Sequence, residues 1–189
     1  MFTGNRGTLH DPDTKRLTGR RWTTRTWIIC LCEFKGRKRQ VFGRNARSGG
    51  TGYTNLFFLD EVTALAAGHR PCFECRRADA QRYLSCFSEG NSLGQIKAAQ
   101  MDEVLHSQRI AANNSPPILA RLEIEKLPDG TVVLSDGHFL VRRSGSFLRW
   151  SFDGYSNAEN GPTTAQMLTP PGTVAALSAG YKPIWHSSA

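Results

Sequence analysis

The stretch from Phe57 to Arg77, FFLDEVTALAAGHRPCFECRR, constrains this chain more than any other. Phe57-Phe58-Leu59 is a short apolar run of the kind that forms a strand. Asp60 is suited to cap a following helix, and Val62, Leu65 and Ala66 fall at the three-to-four spacing of one buried face. Gly68 can take the left-handed conformation that ends a helix, and Pro71 cannot continue one. Cys72 and Cys75 then stand in a Cys-x-x-Cys spacing, which lets two thiolates reach one tetrahedral ion. The stretch therefore predicts strand, short helix, abrupt stop and metal knuckle, with a second helix opening at Arg76.

A closed structural zinc site takes four ligands. Cys30 and Cys32 are the best remaining pair, because residues two apart in an extended strand point to one face. Cys86, His69 and His186 are substitutes for either of them. Five cysteines, an odd number, suit thiols or ligands better than a disulfide framework.

The second constraint is charge. The formal net charge is +8, but residues 1–48 hold twelve Lys/Arg against three Asp/Glu, while residues 49–189 hold twelve against thirteen. The positive excess lies wholly in the first quarter of the chain, a field that would attract and orient a polyanion. Within it, Arg6, Arg20, Arg21, Arg37, Lys38, Arg39 and Arg44 are the candidate phosphate contacts. Trp22 and Trp27 are candidate stacking surfaces, Trp27 being better suited to a core position because it leads into an apolar strand.

Residues 1–26 are polar and weakly periodic. Trp27 to Phe34 reads as a strand, turned at Lys35-Gly36-Arg37 and returning at Arg39 to Phe42, with Arg37, Lys38 and Arg39 at the tip. Gly43 to Thr54 is a glycine-rich loop without the Gly-Lys-Ser/Thr of a phosphate loop. Helices are expected at Arg76–Phe87 and about Leu93–Ala111. The second carries Asp102, His106 and Arg109 within two turns, and these could line a cleft with Asn5, Arg6, His10 and Asp11. Asn113 to Pro117 breaks the pattern, after which the period changes to two. Strands are expected at Ile118–Leu127, Thr131–Leu134, Phe139–Arg143 and Phe147–Phe152. Val141, Leu148, Trp150 and Phe152 should face the core and Arg142, Arg143 and Arg149 the solvent; a polar loop should run on to Thr169. Near the end, Val174 to Pro183 partly repeats Val62 to Pro71, a second helix stopped by glycine and redirected by proline.

The chain is thus expected to be α+β. A zinc-stabilised basic lobe (1–112), with a β-hairpin and helices, precedes an antiparallel β-meander closed by a short helix (118–189). No apolar run approaches the ~20 residues of a membrane span, and the first residues lack the apolar core of a secretory signal. Both features predict a soluble cytoplasmic protein.

Ala66-Ala67-Gly68-His69-Arg70-Pro71-Cys72-Phe73-Glu74-Cys75, with the aromatic strand and alanine-rich helix before it, resembles the zinc-binding module of the Ada methyl-phosphotriester repair proteins. The likeness covers about residues 27–80, and its specific part is Gly68 to Cys75. It implies a four-thiolate zinc site made by Cys72, Cys75 and an upstream pair, here Cys30 and Cys32, and a DNA ligand. Cys30 matches the cysteine that accepts a methyl group in that family. The spacing Cys30-x-Cys32 is tighter than the family's, and neither its helix-turn-helix nor its Pro-Cys-His-Arg motif is present, so the alkyl-transfer activity is not carried over. The expected function is zinc-dependent binding of nucleic acid, most readily DNA, in repair or processing. The alternative is an enzyme acting on a base or backbone, with a structural zinc. No nuclease motif or deaminase His-x-Glu occurs.

Overall fold

The computed structural model describes residues 1–38, 40–43, 48, 50–158 and 161–189, with the backbone alone at 37, 38, 113 and 114. The chain is α+β. In order, its first part comprises β1 (Phe2–Asn5), β2 (Ile28–Cys30), β3 (Glu33–Phe34), β4 (Arg37–Lys38), β5 (Asn55–Phe58), α1 (Glu61–Ala66), β6 (Arg70–Pro71), α2 (Arg77–Gly90) and α3 (Ala98–Asn114). There follow β7 (Ile118–Ala120), α4 (Arg121–Ile124), β8 (Val132–Ser135), β9 (His138–Arg143), β10 (Ser146–Ser151), β11 (Gly154–Asn157), β12 (Thr164–Met167) and α5 (Pro171–Ser178).

The first sheet has the order β5-β1-β2-β6. Its inner strand β1 comes from the polar opening segment, where alternation gave no strand signal. It is held by antiparallel neighbours on both sides, and Thr3 Oγ1 donates to Asn55 Oδ1 at 2.8 Å. Gly4 is required there: a Cβ would stand 2.4 Å from the Phe58 ring and 3.1 Å from His69 Nε2. The long strand expected from Trp27 to Phe34 stops at Cys30. The hairpin is shorter than expected, pairing Glu33 with Lys38 and Phe34 with Arg37. Its turn residues Lys35 and Gly36 both have positive φ, the two-residue hairpin geometry whose twist matches its strands.

The core of this part is Phe2, Ile29, Ala64, Leu65, Tyr83, Phe87, Met101 and Leu105, completed by Ala176, Leu177 and Tyr181 from the chain's end. The C-terminal helix α5 therefore packs into the first core, beside α2, although its sequence lies beyond the second sheet.

The second sheet is antiparallel throughout, in the order β11-β10-β9-β8-β12-β7. It buries apolar side chains on both faces. Val132, Val141, Leu148 and Tyr155 pack with Val62 of α1 on one side. Val133, Leu140, Phe147 and Ala165 pack with Ile124 on the other. Sandwiching explains three departures from the expected meander. Ile118–Leu127 is not one strand, because after Ala120 the chain turns helical to bring Ile124 over the second face. The polar run after Gly154 contains β11 and β12, whose Tyr155, Ala165 and Met167 are buried. Phe152, expected inside, is 90% exposed at a turn. Arg143 shares the Val141 face and lies over the Trp185 ring at 4.2 Å.

Candidate metal centre

The knuckle is built by the local signals its sequence carries. Asp60 caps α1, its Oδ1 accepting from Thr63 N at 2.9 Å. The helix ends at Gly68, which has φ +80°, and His69 N reaches back to Ala64 O at 3.0 Å. Arg70 and Pro71 then run parallel to Ile28 and Ile29 as an edge strand. Arg70 N donates to Trp27 O and Cys72 N to Ile29 O, each at 3.0 Å. That pairing delivers the Cys-x-x-Cys turn to the end of β2.

Three thiols meet as a result. The sulfurs of Cys30, Cys72 and Cys75 all lie within 4.8 Å of one another, a group that could hold a metal ion. Cys30 and Cys72 are buried. Two backbone N–H groups face the sulfurs: Glu74 N to Cys72 Sγ and Leu31 N to Cys75 Sγ, both at 3.4 Å. Such N–H···S contacts suit thiolate acceptors and orient ligand sulfurs. Mutual hydrogen bonding drives the acidities of the three thiols apart. Cys72 is pushed down by hydrogen bonds from Cys30 and then Cys75. Cys30 is pushed far up, by its hydrogen bonds to Cys72 and Cys75 and by burial. Cys75 is raised: its hydrogen bond with Cys30 pulls it down, but that with Cys72, together with burial, outweighs this. A soft divalent cation would replace the shared protons, because the thiolate is the ligand. The donor set fits a metal such as zinc.

Cys32 is placed differently. Because β2 ends at Cys30, strand parity does not carry through Leu31, and Cys32 Sγ points to Met1 O at 3.7 Å. His69 lies in the interior with its Nε2 accepting from Arg6 Nε at 3.3 Å. His186 Nδ1 is 2.8 Å from Ser188 Oγ, and Cys86 is on α2, its thiol raised by burial and by Glu89.

Behind the knuckle, Arg76 makes a buried ion pair with Glu61 at 2.9 Å and reaches Asp79 at 2.8 Å. Its guanidinium lies over the Phe2 ring at 4.5 Å. Glu61 also accepts from Tyr181 Oη at 2.6 Å and Ile184 N at 2.9 Å. Its neighbour Asp60 accepts from Tyr155 Oη at 2.7 Å and His186 N at 3.1 Å. The two acidic residues that open α1 thus bind both the second sheet and the C-terminal segment. Sequence reasoning took Asp60 as a cap and missed these roles; an adjacent acidic pair ahead of an apolar helix was the available sign.

The seven candidate phosphate contacts divide into four sets. Arg20 and Arg21 are exposed on a strap leading to Trp27. Arg6 is half-buried, donating to His69 and to Ala67 O at 3.3 Å. Arg37 and Lys38 form β4, and Arg39 and Arg44 lie outside the described residues. Of the residues expected to share a cleft, Asp102, His106 and Arg109 do lie together on α3, near Arg6. Asp102 is held by Arg70 through bonds of 3.0 and 2.8 Å. His10 is elsewhere, 2.6 Å from Thr54 Oγ1, beside a polar recess of about 340 Å³ lined in part by Asp13, Lys15 and Thr51. A second recess of about 550 Å³ lies against α2, lined by Leu84, Ser88 and Ile96. No helix among the described residues is long and apolar enough to cross a membrane.

No family model matches the chain, and neither the curated proteins nor the solved structures yield a match to it.

Proposed function

We propose that the chain is a zinc-containing nucleic-acid-binding protein, with DNA its foremost ligand, acting in repair or processing. The observation that carries this reading is the concentration of twelve Lys/Arg against three Asp/Glu in residues 1–48. The three-cysteine group supports it, because it ties that basic segment to the rest of the chain. β2, which carries Cys30, leads directly out of the strap bearing Arg20, Arg21 and Arg25. A metal at Cys30, Cys72 and Cys75 would lock β2 to the start of α2 and fix the angle of the strap. Its role is that of a clamp. The Gly68-to-Cys75 likeness to the Ada module supports a zinc identity and a DNA ligand.

The test is binding of a labelled DNA duplex by fluorescence anisotropy at several salt concentrations. Counterion release predicts a linear fall of log K with log salt, with a slope of about −0.9 per phosphate neutralised. Arg20→Ala and Arg21→Ala should each make that slope shallower by about one such unit. Binding that does not change between low and physiological salt overturns the reading.

A further inference from the structure

A second group of side chains beside the metal centre has no part in the clamp. The Trp27 ring carries two guanidinium groups, Arg6 at 4.0 Å and Arg109 at 4.2 Å from its centroid. Arg6 donates to His69 and Ala67 O, and Arg109 donates to Gly68 O at 2.7 Å and Arg25 O at 2.6 Å. These acceptors are neutral. The carboxylate in the group, Asp102, is taken by Arg70 and by Thr26 Oγ1 at 3.0 Å. Half-buried Arg6 therefore has no anion bonded to it, and buried Arg109 feels Asp102 only as a charge already bonded to Arg70, which is costly because water solvates these cations poorly. Burial, reinforced for Arg6 by the charge of Arg21, brings it down to about 10; Arg109 is brought to about 10 chiefly by burial.

Unmet polar atoms collect at the same place. Among the described residues six buried side-chain polar atoms lack a partner, and three of them are His69 Nδ1, His106 Nδ1 and Arg109 Nε. The strap lies alongside. It is pinned by Thr23 N and Thr24 N, which donate to Arg6 O at 2.9 and 3.2 Å. Arg21 is near enough to repel Arg6, and Arg25 near enough to repel His106. Trp22 stands edge-on to His106 at 4.6 Å and is 39% exposed.

We infer that Arg6, Arg21 and Arg25, backed by Arg109, seat a backbone phosphate of a nucleic-acid strand whose adjoining unpaired base stacks on Trp22. Guanidinium forks match the phosphate oxygens, and the anion offsets the charge held on Trp27. A base in a duplex has both faces covered by its neighbours, so an indole can stack only on an unstacked one. The ligand is a single strand, or a duplex with a displaced base. This rests on the nucleic-acid reading above and narrows it.

The experiment compares the full chain with Arg25→Ala and Trp22→Ala, both at exposed positions, and with Lys126→Ala as a remote control. Anisotropy is read with a fluorescent single-stranded oligonucleotide and with the matching duplex, and thermal shift is read with pyrophosphate against chloride at equal ionic strength. The expected result is tighter binding of the single strand, weakened about tenfold by either strap variant and unchanged by Lys126→Ala. Pyrophosphate should raise the melting temperature of the parent and not of Arg25→Ala. If the parent binds DNA but both strap variants bind equally well, the seat is refuted and the broader reading stands. If no nucleic acid binds while pyrophosphate still stabilises through Arg25, the broader reading fails and this ligand with it. Displacement by polyglutamate as readily as by unlabelled strand also overturns the choice of ligand.

Discussion

Glu61→Gln tests the anchor that holds the knuckle to the C-terminal segment. Glu61 is fully buried and meets Arg76 at 2.9 Å, Tyr181 Oη at 2.6 Å and Ile184 N at 2.9 Å, so three donors converge on one carboxylate. An amide of the same shape must turn its NH2 toward at least one of them, setting donor against donor. Breaking one partner of a buried ion pair costs about 3–5 kcal/mol. Asp79 remains 2.8 Å from Arg76, but its side chain is 43% exposed and compensates in part. The lower end, about 3 kcal/mol, is therefore expected. For a chain of this size each kcal/mol moves the midpoint by roughly 2–4 °C, which gives a fall of roughly 6–12 °C. Calorimetry measures it, with Glu89→Gln on the exposed side of α2 as control. The Ile184 amide should lose hydrogen-exchange protection at the same time. A fall below about 1 kcal/mol, or unchanged protection at Ile184, would refute the assignment of Glu61 as the joint.

Three further outcomes follow from other sites. Cys30→Ser, Cys72→Ser and Cys75→Ser should each abolish stoichiometric zinc uptake measured by mass spectrometry of metal content, while Cys32→Ser should retain it; uptake by any of the first three variants argues against the cluster. His69 is held well below its ordinary value near 6.5 by burial and by Arg6 and Arg109, so its neutral form stabilises the fold above pH 6.5. Unfolding free energy should fall as pH drops below that value, by up to ~1.4 kcal/mol per pH unit, in urea titrations of the parent and less so of His69→Gln; equal pH dependence counts against it. Gly68→Ala forces an alanine to φ +80° and sets its Cβ 2.6 Å from Arg109 Cδ. It should destabilise by about 1–2 kcal/mol from the backbone alone, and an unchanged denaturation midpoint would show that the position is not constrained.

How much of this was legible in the sequence depended on whether the cause was local. The α1 stop, the Cys72–Cys75 turn and the glycine turn after Phe34 are readable, because capping, glycine and turn chemistry act over a few residues; the return strand is not, since it is Arg37–Lys38 rather than a run from Arg39 to Phe42, so Arg37 and Lys38 lie in the strand and not at the tip. The helical spacing also put Asp102, His106 and Arg109 on one face correctly. β1 was not readable, since its strand state is imposed by β2 and β5 on either side rather than by alternation. Phe152 was assigned inward by parity, but parity cannot tell where a sheet's cover ends. Pairing Cys32 with Cys30 requires the strand to continue through Cys32, and it ends two residues earlier, at Cys30. The Glu61–Tyr181 bond spans 120 residues, so local patterning cannot pair its ends, although the adjacent acids Asp60 and Glu61 mark one of them.

The clamp and the anchor act on one short piece of chain from opposite ends. Glu61 opens α1 and Arg76 precedes α2, so their ion pair closes the strand–helix–knuckle stretch into a loop. Between them, Arg70 grips Asp102 of α3, Cys72 pairs with β2, and Gly68 lends its carbonyl to Arg109. The stretch is thus tied to α3 at two points and to β2 at one, while its own two ends are joined to each other. A reactive thiol would need access, whereas two of the three cluster cysteines are buried. The motif that most suggests chemistry is thus the part best built to hold position. The features that can meet a ligand, Arg21, Trp22 and Arg25, lie on the strap whose last residues lead into β2.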